Sequence, residues 1–326
     1  MNGSITVSIC CLTYNHEKYI RQCLDGLIMQ KTEFDFEILV HDDASSDATQ
    51  SIINEYVVAY PNLIKPILQI RNQYSQGISP LRQILFPLVK GKYVALCEGD
   101  DYWTDPLKLQ KQVNAMESDH SLAGCAHQSL VFYENGTPSH MFHHVKKQIL
   151  KTKDLLDVRL FHTASFLFKK EVLDYIKDFN SSLYAGDRFL FLACSLKGNI
   201  LYMPDVMCCY RKNAMGVTSR VSYSLHVLDL KVPEYFHNKD LKFPYYRYLA
   251  FVHRAIFSES LDISLKKYIY HFTLFVKYSF SYFPKNLKDI YKALYVSFWW
   301  LTRDKSIESN DCYNFSYSIL NSDFDI

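Results

Sequence analysis

Through the first half of the chain, short runs of β-branched and other apolar residues alternate with stretches whose apolar positions recur every three or four residues. The extended runs cover 5–12, 37–41, 65–70 and 92–97, and the helical patterns that follow them cover 17–30, 47–60, 81–90 and 106–117. Strand followed by helix, repeated in this way, predicts βαβ units and an α/β fold with a mostly parallel sheet flanked by helices. Ligands of such sheets bind beyond the carboxyl ends of the strands. The segments to read are therefore Thr13-Tyr14-Asn15-His16, Asp42-Asp43-Ala44-Ser45 and Glu98-Gly99-Asp100-Asp101.

From 122 to 152 the pattern loosens into short extended pieces around a turn at Glu134-Asn135-Gly136, which reads as a loop or hairpin insertion. Order returns with a strand over 164–168, a helix from Lys170, a helix over 187–197 and two extended runs, 200–203 and 206–211. After Ser222 the chain turns to Lys- and aromatic-rich helical stretches broken at Pro233, Pro244 and Pro284. The predicted organisation is one α/β domain over residues 1–221 and a helical C-terminal appendage over 222–326.

Composition changes this picture in three places. Lys plus Arg number 36 against 34 Asp plus Glu, so no chain-wide basic field points to nucleic acid as a partner. Nine cysteines lack CxxC spacing and read as reduced thiols in a cytoplasmic chain; neighbours Cys10 and Cys11 face opposite sides of one strand. Twenty-five Tyr and twenty-two Phe, many of them after Tyr235, ask what the C-terminal aromatics pack against. The opening Met-Asn-Gly-Ser-Ile-Thr-Val lacks the basic-then-apolar pattern of a secretory signal. No apolar run approaches the ~18 residues of a membrane helix; the nearest is 295–301. The glycosylation triplets at Asn135 and Asn180 are chance matches in a reduced chain.

Three carboxylates converge where the strand ending at Cys97 runs into Glu98-Gly99-Asp100-Asp101. Gathering like charge is costly unless a cation offsets it. Mg²⁺ and Mn²⁺ favour oxygen ligands and are held by one or two carboxylates plus substrate phosphates. A metal–diphosphate site follows; the plainer alternative is a solvated acidic turn, with Asp105 capping the helix that starts at Pro106. At the second strand end Ser45, Ser46 or Asp47 can cap the next helix, which leaves Asp42 and Asp43 available to accept from the imide N–H of a uracil ring. Tyr14 offers a flat surface for a base and Thr13 a hydrogen-bonding hydroxyl. No GxGxxG follows the first strand, which argues against a dehydrogenase.

Taken in order, Val7-Ser8-Ile9-Cys10-Cys11-Leu12-Thr13-Tyr14-Asn15, Glu37-Ile38-Leu39-Val40-His41-Asp42-Asp43-Ala44-Ser45-Ser46-Asp47 and Glu98-Gly99-Asp100-Asp101 resemble family 2 of the inverting glycosyltransferases, of the GT-A (Rossmann-like) fold. The resemblance extends from residue 5 to residue 220, with a nucleotide-binding half over 1–120 and an acceptor half over 121–221. It implies a nucleotide-sugar donor, a UDP-sugar favoured, held by Thr13, Tyr14, Asn15, Asp42, Asp43, Glu98 and Gly99, with Mn²⁺ or Mg²⁺ on Asp100. It further implies a catalytic base at Asp187, in Gly186-Asp187-Arg188, and diphosphate contacts from Arg211 and Lys212, in the segment Tyr210 to Thr218. The expected acceptor is a glycan or lipid-linked saccharide in surface polysaccharide synthesis. The chain departs from the family pattern at Glu98, where Asp is usual, and at Asn213, where His is expected. Those departures keep a second reading open, a nucleotide-sugar-binding scaffold without turnover. Asp187 has its own alternative as a helix cap.

His41 reads as a packing residue, and His143 and His144 lack partners at zinc-ligand spacing. His162 leads into the strand expected to face the acceptor, and Trp103 is either a sugar-stacking ring or core. The mix of Lys and large aromatics over 266–278 and 291–303 suits helices lying at the inner face of a membrane, or packed on their own domain.

Overall fold

The computed structural model describes residues 4–213, 222–260 and 262–282. In chain order the elements are β1 (Val7–Thr13), α1 (Ile20–Ile28), β2 (Phe36–Asp42), α2 (Thr49–Ala59), β3 (Ile64–Leu68), β4 (Tyr93–Glu98), β5 (Tyr102–Trp103), α3 (Lys108–Ser118), β6 (Leu122–Tyr133), β7 (His140–Met141), β8 (Ile149–Leu150), α4 (Thr152–Leu155), β9 (Leu167–Lys169), α5 (Glu171–Ile176), α6 (Gly186–Lys197), β10 (Asn199–Lys212), α7 (Tyr223–His226), α8 (Lys231–Lys239), α9 (Tyr245–Glu259) and α10 (Leu265–Ser279). They form two compact units. One comprises Met1–Leu155, Arg159–Ser182 and Leu190–Ala214, the other Leu156–Val158, Leu183–Phe189 and Met215–Ile326.

The first unit is built on a sheet of order β3-β2-β1-β4-β9-β6-β10-β5, with β7 paired to β6 and β8 to β10. Its first four strands are parallel, so Thr13, Asp42 and Glu98 emerge on one edge. Antiparallel pairing enters with β9, which lies between β4 and β6. β1, β2 and β4 are buried on both faces, which is why their sequences read as continuous rather than alternating apolar runs. Ile9, Cys11, Ile38, Val40, Ala95 and Cys97 share one face with Ile20, Cys23, Leu24 and Leu27 of α1. The eight cysteines among the described residues are free and buried.

Three local expectations change. The helix expected over 81–90 is a π-helical turn, Pro80–Leu85, followed by a 3₁₀ turn, Phe86–Leu88. Pro80 opens the turn at a position that tolerates proline, whereas Pro87, inside the expected helix, removes a backbone donor and crowds the carbonyl four residues back, which stops a regular α-helix there. The segment after 122, read as an insertion, instead supplies the twelve-residue β6 between β9 and β10. Its Ala, Gly, His, Gln and Ser have low intrinsic strand preference, and the neighbours on both sides override it. The two runs after 199 are one strand, β10, whose register on β6 slips between Met203 and Val206 and again before Cys208, around Pro204 and Asp205.

In the second unit the aromatic excess forms the core. Phe189 stacks on Phe236 at 5.0 Å between ring centroids, Phe243 meets Phe236 and Tyr248, and Phe257 meets Tyr268, Phe272 and Phe275. Pro233 does not break a helix: it lies in the first turn of α8, where its missing N–H is not needed. No described helix is long and apolar enough to cross a membrane. Pro284 and the stretch 291–303 lie outside the described residues.

Candidate active site

The loops leaving β1 and β2 hold each other. Asn15 donates its N–H to Ser45 Oγ at 2.8 Å and accepts from Ser46 N–H through Oδ1 at 2.8 Å. His16 N–H reaches Thr49 Oγ1 at 2.8 Å. Asn15 (φ 54°) and Ala44 (φ 64°) sit in the left-handed region, which is uncommon outside glycine and clusters at functional turns. Asp42 accepts from Ser45 N–H (2.9 Å), Gln50 Nε2 (2.6 Å) and the Ser45 hydroxyl. Asp43 accepts from Gln73 N–H (2.7 Å) and Tyr74 N–H (3.0 Å), so it orders the loop after β3. Both carboxylates thus hold loops, and Tyr14, 47 % exposed, is the flat surface these loops present.

At the end of β4, Gly99 is required by close approach. A Cβ there would lie 2.7 Å from Thr13 Oγ1 and 2.9 Å from His16 Nδ1. Those two buried atoms, both without a hydrogen-bond partner, flank the acidic turn. Burial holds His16 below its ordinary pKa, while Asp100, Asp47 and Asp42 pull the other way. Glu98 lines a cavity of about 10 Å³ with Cys10, Leu12, Leu81, Leu96, Cys97 and Thr163, room for one water.

Asp100 and Asp101 divide the work. Asp100 Oδ2 accepts from Asn213 Nδ2 at 3.0 Å, and its carbonyl accepts from Arg211 Nε at 2.9 Å. Asp101 is buried beneath: Oδ1 accepts from Arg211 N–H at 2.9 Å, and Oδ2 lies 3.5 Å from His162 Nε2. Burial, then the charges of Asp100 and Glu98, push the Asp101 carboxyl well above the usual range, against the pull of Arg211 N–H. His162 is held well below its usual value by burial and then by Arg159. Its Nδ1 accepts from Ala164 N–H at 3.3 Å, which leaves Nε2–H to face Asp101, and its ring stacks on Tyr210 at 3.9 Å. Glu98, Asp101 and His162 bring one ligand atom each within 4.8 Å of the others.

Arg211 is held by several partners around the acidic turn. Its guanidinium lies over Tyr19 and Tyr102, donates to Gln22 Oε1 at 2.6 Å, and braces the Asp100 carbonyl. Lys212 lies beside it with Nζ 4.6 Å from the Tyr210 ring. Trp103 is core: it is 2 % exposed, donates Nε1–H to Ala164 O at 2.9 Å, and carries the buried Lys108 Nζ 3.8 Å above its ring. Asp105 accepts from Leu107 N–H at 2.8 Å at the start of the helical turn before α3. His41 is buried with neither ring nitrogen hydrogen-bonded. Asp187 lies in the second unit, in the first turn of α6, where its Oδ1 accepts from Arg188 N–H at 2.7 Å. Ala185, not Asp187, accepts the first helical hydrogen bond, from Phe189 N–H. Residues 214–218 of the Tyr210–Thr218 segment lie outside the described residues.

Sequence reasoning missed three contributors. His16 stood in a quoted motif without a role, Arg159 carried no signal, and the pairing of His162 with Asp101 joins residues far apart in sequence.

An uncharacterized protein of Mycobacterium tuberculosis, Rv1520, is 37% identical over 212 residues, 65% of this chain. The match spans 60% of that relative's own length. The Escherichia coli UDP-Glc:alpha-D-GlcNAc-diphosphoundecaprenol beta-1,3-glucosyltransferase WfaP is 32% identical over 113 residues, 35% of this chain and 42% of its own. Among solved structures, S. aureus TarS 1–349 in complex with UDP-GlcNAc aligns with a TM-score of 0.65 at 20% identity, covering 97% of this chain and 90% of that one. At that identity the likeness is one of fold, and the fold is GT-A. The description "Glycosyl transferase family 2" matches residues 8–176, more than half of the 326 residues, and the chain belongs to that family.

Proposed function

We propose that the chain transfers a sugar from a nucleoside-diphosphate sugar, a UDP-sugar by preference, to a hydroxyl of a glycan or lipid-linked saccharide, with inversion at the anomeric carbon. The observation that carries this reading is the acidic turn 98–101 braced from beneath by the Arg211–Asn213 segment, next to the exposed Tyr14. WfaP and the TarS complex, whose descriptions name UDP-Glc and UDP-GlcNAc, support the donor class. Thr13, Tyr14, Asn15, Asp42, Asp43, Glu98 and Gly99 form the nucleotide side.

The oxygen-rich set at the end of β4 fits a hard divalent cation. Asp100, with Asn213 on its carboxylate, would hold Mn²⁺ or Mg²⁺, whose chemistry there is to neutralise the departing diphosphate. Where the family has His, Asn213 donates its Nδ2 to Asp100 Oδ2 and so orients that carboxylate. Lys212 adds positive charge for the diphosphate, while Arg211 positions Asp100 and Asp101. Asp187 takes the proton from the acceptor hydroxyl as its oxygen bonds to the anomeric carbon and the bond to the diphosphate breaks. One displacement, with no covalent intermediate, inverts that carbon. The same reading takes residues 1–221 as the transferase domain and 222–326 as an appendage. Exposed Leu265, Ile269, Tyr270 and Phe280, beside exposed Lys266, Lys267 and Lys277, suit contact with an anionic membrane face.

A thermal-shift screen of nucleotide sugars with and without Mn²⁺ tests the reading, because a ligand of the folded state raises its melting temperature by mass action. A metal-dependent shift with UDP-sugars and their hydrolysis is expected. Binding without any turnover would replace the enzyme with a nucleotide-sugar-binding scaffold. For the membrane part, failure of the intact protein to co-sediment with anionic vesicles would remove it.

A further inference from the structure

The helix that carries Asp187 starts on a residue unable to cap it. Phe189 N–H donates to Ala185 O at 3.1 Å, so Ala185 holds the cap position, and a methyl group cannot accept from the free N–H groups of a helix start. Within the first turn Arg188 N–H goes to Asp187 Oδ1, and the two N–H groups just before the helix are taken by another element. Asp229, half-buried in the 3₁₀ turn Val227–Leu230, takes the N–H of Tyr184 at 2.9 Å on Oδ1 and the N–H of Ala185 at 3.3 and 3.2 Å on its two oxygens. Asp229 and Asp187 belong to the same compact unit.

The surroundings show that this carboxylate is held where burial opposes its charge. Desolvation and the charge of Asp187 raise Asp229 to about 6, against the pull of the two N–H groups and Arg188. Arg188 is itself fixed, its guanidinium 4.3 Å from the Phe251 ring and its Nη1 3.5 Å from Leu156 O. A negative group before a helix N-terminus is favoured by the helix dipole. Nothing in Leu183-Tyr184-Ala185-Gly186 replaces it, since none of those side chains offers a carboxylate or amide acceptor.

We propose that Asp229 is a positioning residue, whose carboxylate pins the backbone of Tyr184 and Ala185 and thereby fixes the direction in which α6 presents Asp187. The proposal rests on Asp187 being the base. Without Asp229 the turn before α6 keeps its sequence but loses both external hydrogen bonds, and Asp187 samples orientations that do not reach the acceptor.

The test uses the full chain with Asp229→Ala and Asp229→Asn. Hydrogen–deuterium exchange over 183–187 is expected to speed up roughly tenfold or more in Asp229→Ala and to stay near wild type in Asp229→Asn, whose amide oxygen still accepts. In Mn²⁺-dependent hydrolysis of UDP-glucose and UDP-GlcNAc, Asp229→Ala lowers kcat about tenfold and leaves the nucleotide-sugar KM unchanged, and Asp229→Asn restores most of kcat. Wild-type exchange or wild-type kcat in a folded Asp229→Ala overturns the proposal. Should Asp229→Ala not fold, a folded Asp229→Asn with normal exchange and kcat supports it, and one with lost kcat and unchanged exchange overturns it. Asp187→Asn, measured alongside, separates the two readings. Lost hydrolysis there with normal kcat in Asp229→Ala removes the positioning role alone, whereas normal hydrolysis in Asp187→Asn removes the base and the positioning role together.

Discussion

Two strands of the sheet, β2 and β4, lead into the same dipeptide, Asp42-Asp43 at the end of β2 and Asp100-Asp101 two residues beyond Glu98 of β4, and the protein uses the two pairs in opposite ways. At Asp42-Asp43 both carboxylates accept from groups close in sequence or from the neighbouring loop, so the pair is a clasp for the turns around it. At Asp100-Asp101 one carboxylate stands at the surface of the turn and the other is sunk below it, braced by β10 and His162 from elsewhere in the chain. The lesson is that residue identity at a strand end states a capacity, and burial with distant partners decides its use.

Three substitutions break or sharpen that contrast. The largest effect is expected from Asp100→Ala, which removes the half-buried member of the second pair: Mn²⁺-dependent UDP-sugar hydrolysis falls about a hundredfold or more while the melting temperature hardly moves. Retained hydrolysis would make the two pairs equivalent. Next is Asp43→Ala, which strands the N–H groups of Gln73 and Tyr74 and costs about 2 kcal/mol in urea unfolding. An unchanged midpoint would deny the clasp. The smallest is Asp101→Asn, read as a stability difference against pH. A carboxyl raised by burial binds its proton more tightly folded than unfolded, so the wild type loses stability as pH rises above the ordinary Asp pKa of about 4. The Asn variant escapes that loss, so its stability relative to wild type rises from pH 4 to pH 8, within about 1 kcal/mol at the lower end. A difference independent of pH would show that Asp101 is not titrating there.

Much of the parallel half was legible, because strands buried on both faces must be written in long apolar runs and their polar ends stand out against them. The acidic turn after Cys97 could be located for that reason alone. Legibility failed where context overrode local preference. β6 is a central strand spelled Leu-Ala-Gly-Cys-Ala-His-Gln-Ser, and only its neighbours make it extended. The contacts of the Arg211 guanidinium with Tyr19 and the Asp100 carbonyl join residues far apart in sequence and carried no local signal. Asp229 carried no signal, since its two N–H partners lie 45 and 44 residues back in sequence and belong to the backbone.

The slip in β10 around Pro204 and Asp205 has a consequence for how this protein can vary. Side chains along a strand alternate faces, so each irregularity resets which residues beyond it point which way. Arg211 and Asn213 both reach the acidic turn because the phase after the slip is the right one. A single-residue deletion among 204–206 would leave every residue of the site intact and still put Lys212 where Arg211 belongs and Ala214 where Asn213 belongs. That short irregular stretch acts as a spacer whose length, more than its composition, sets what the strand beyond it presents.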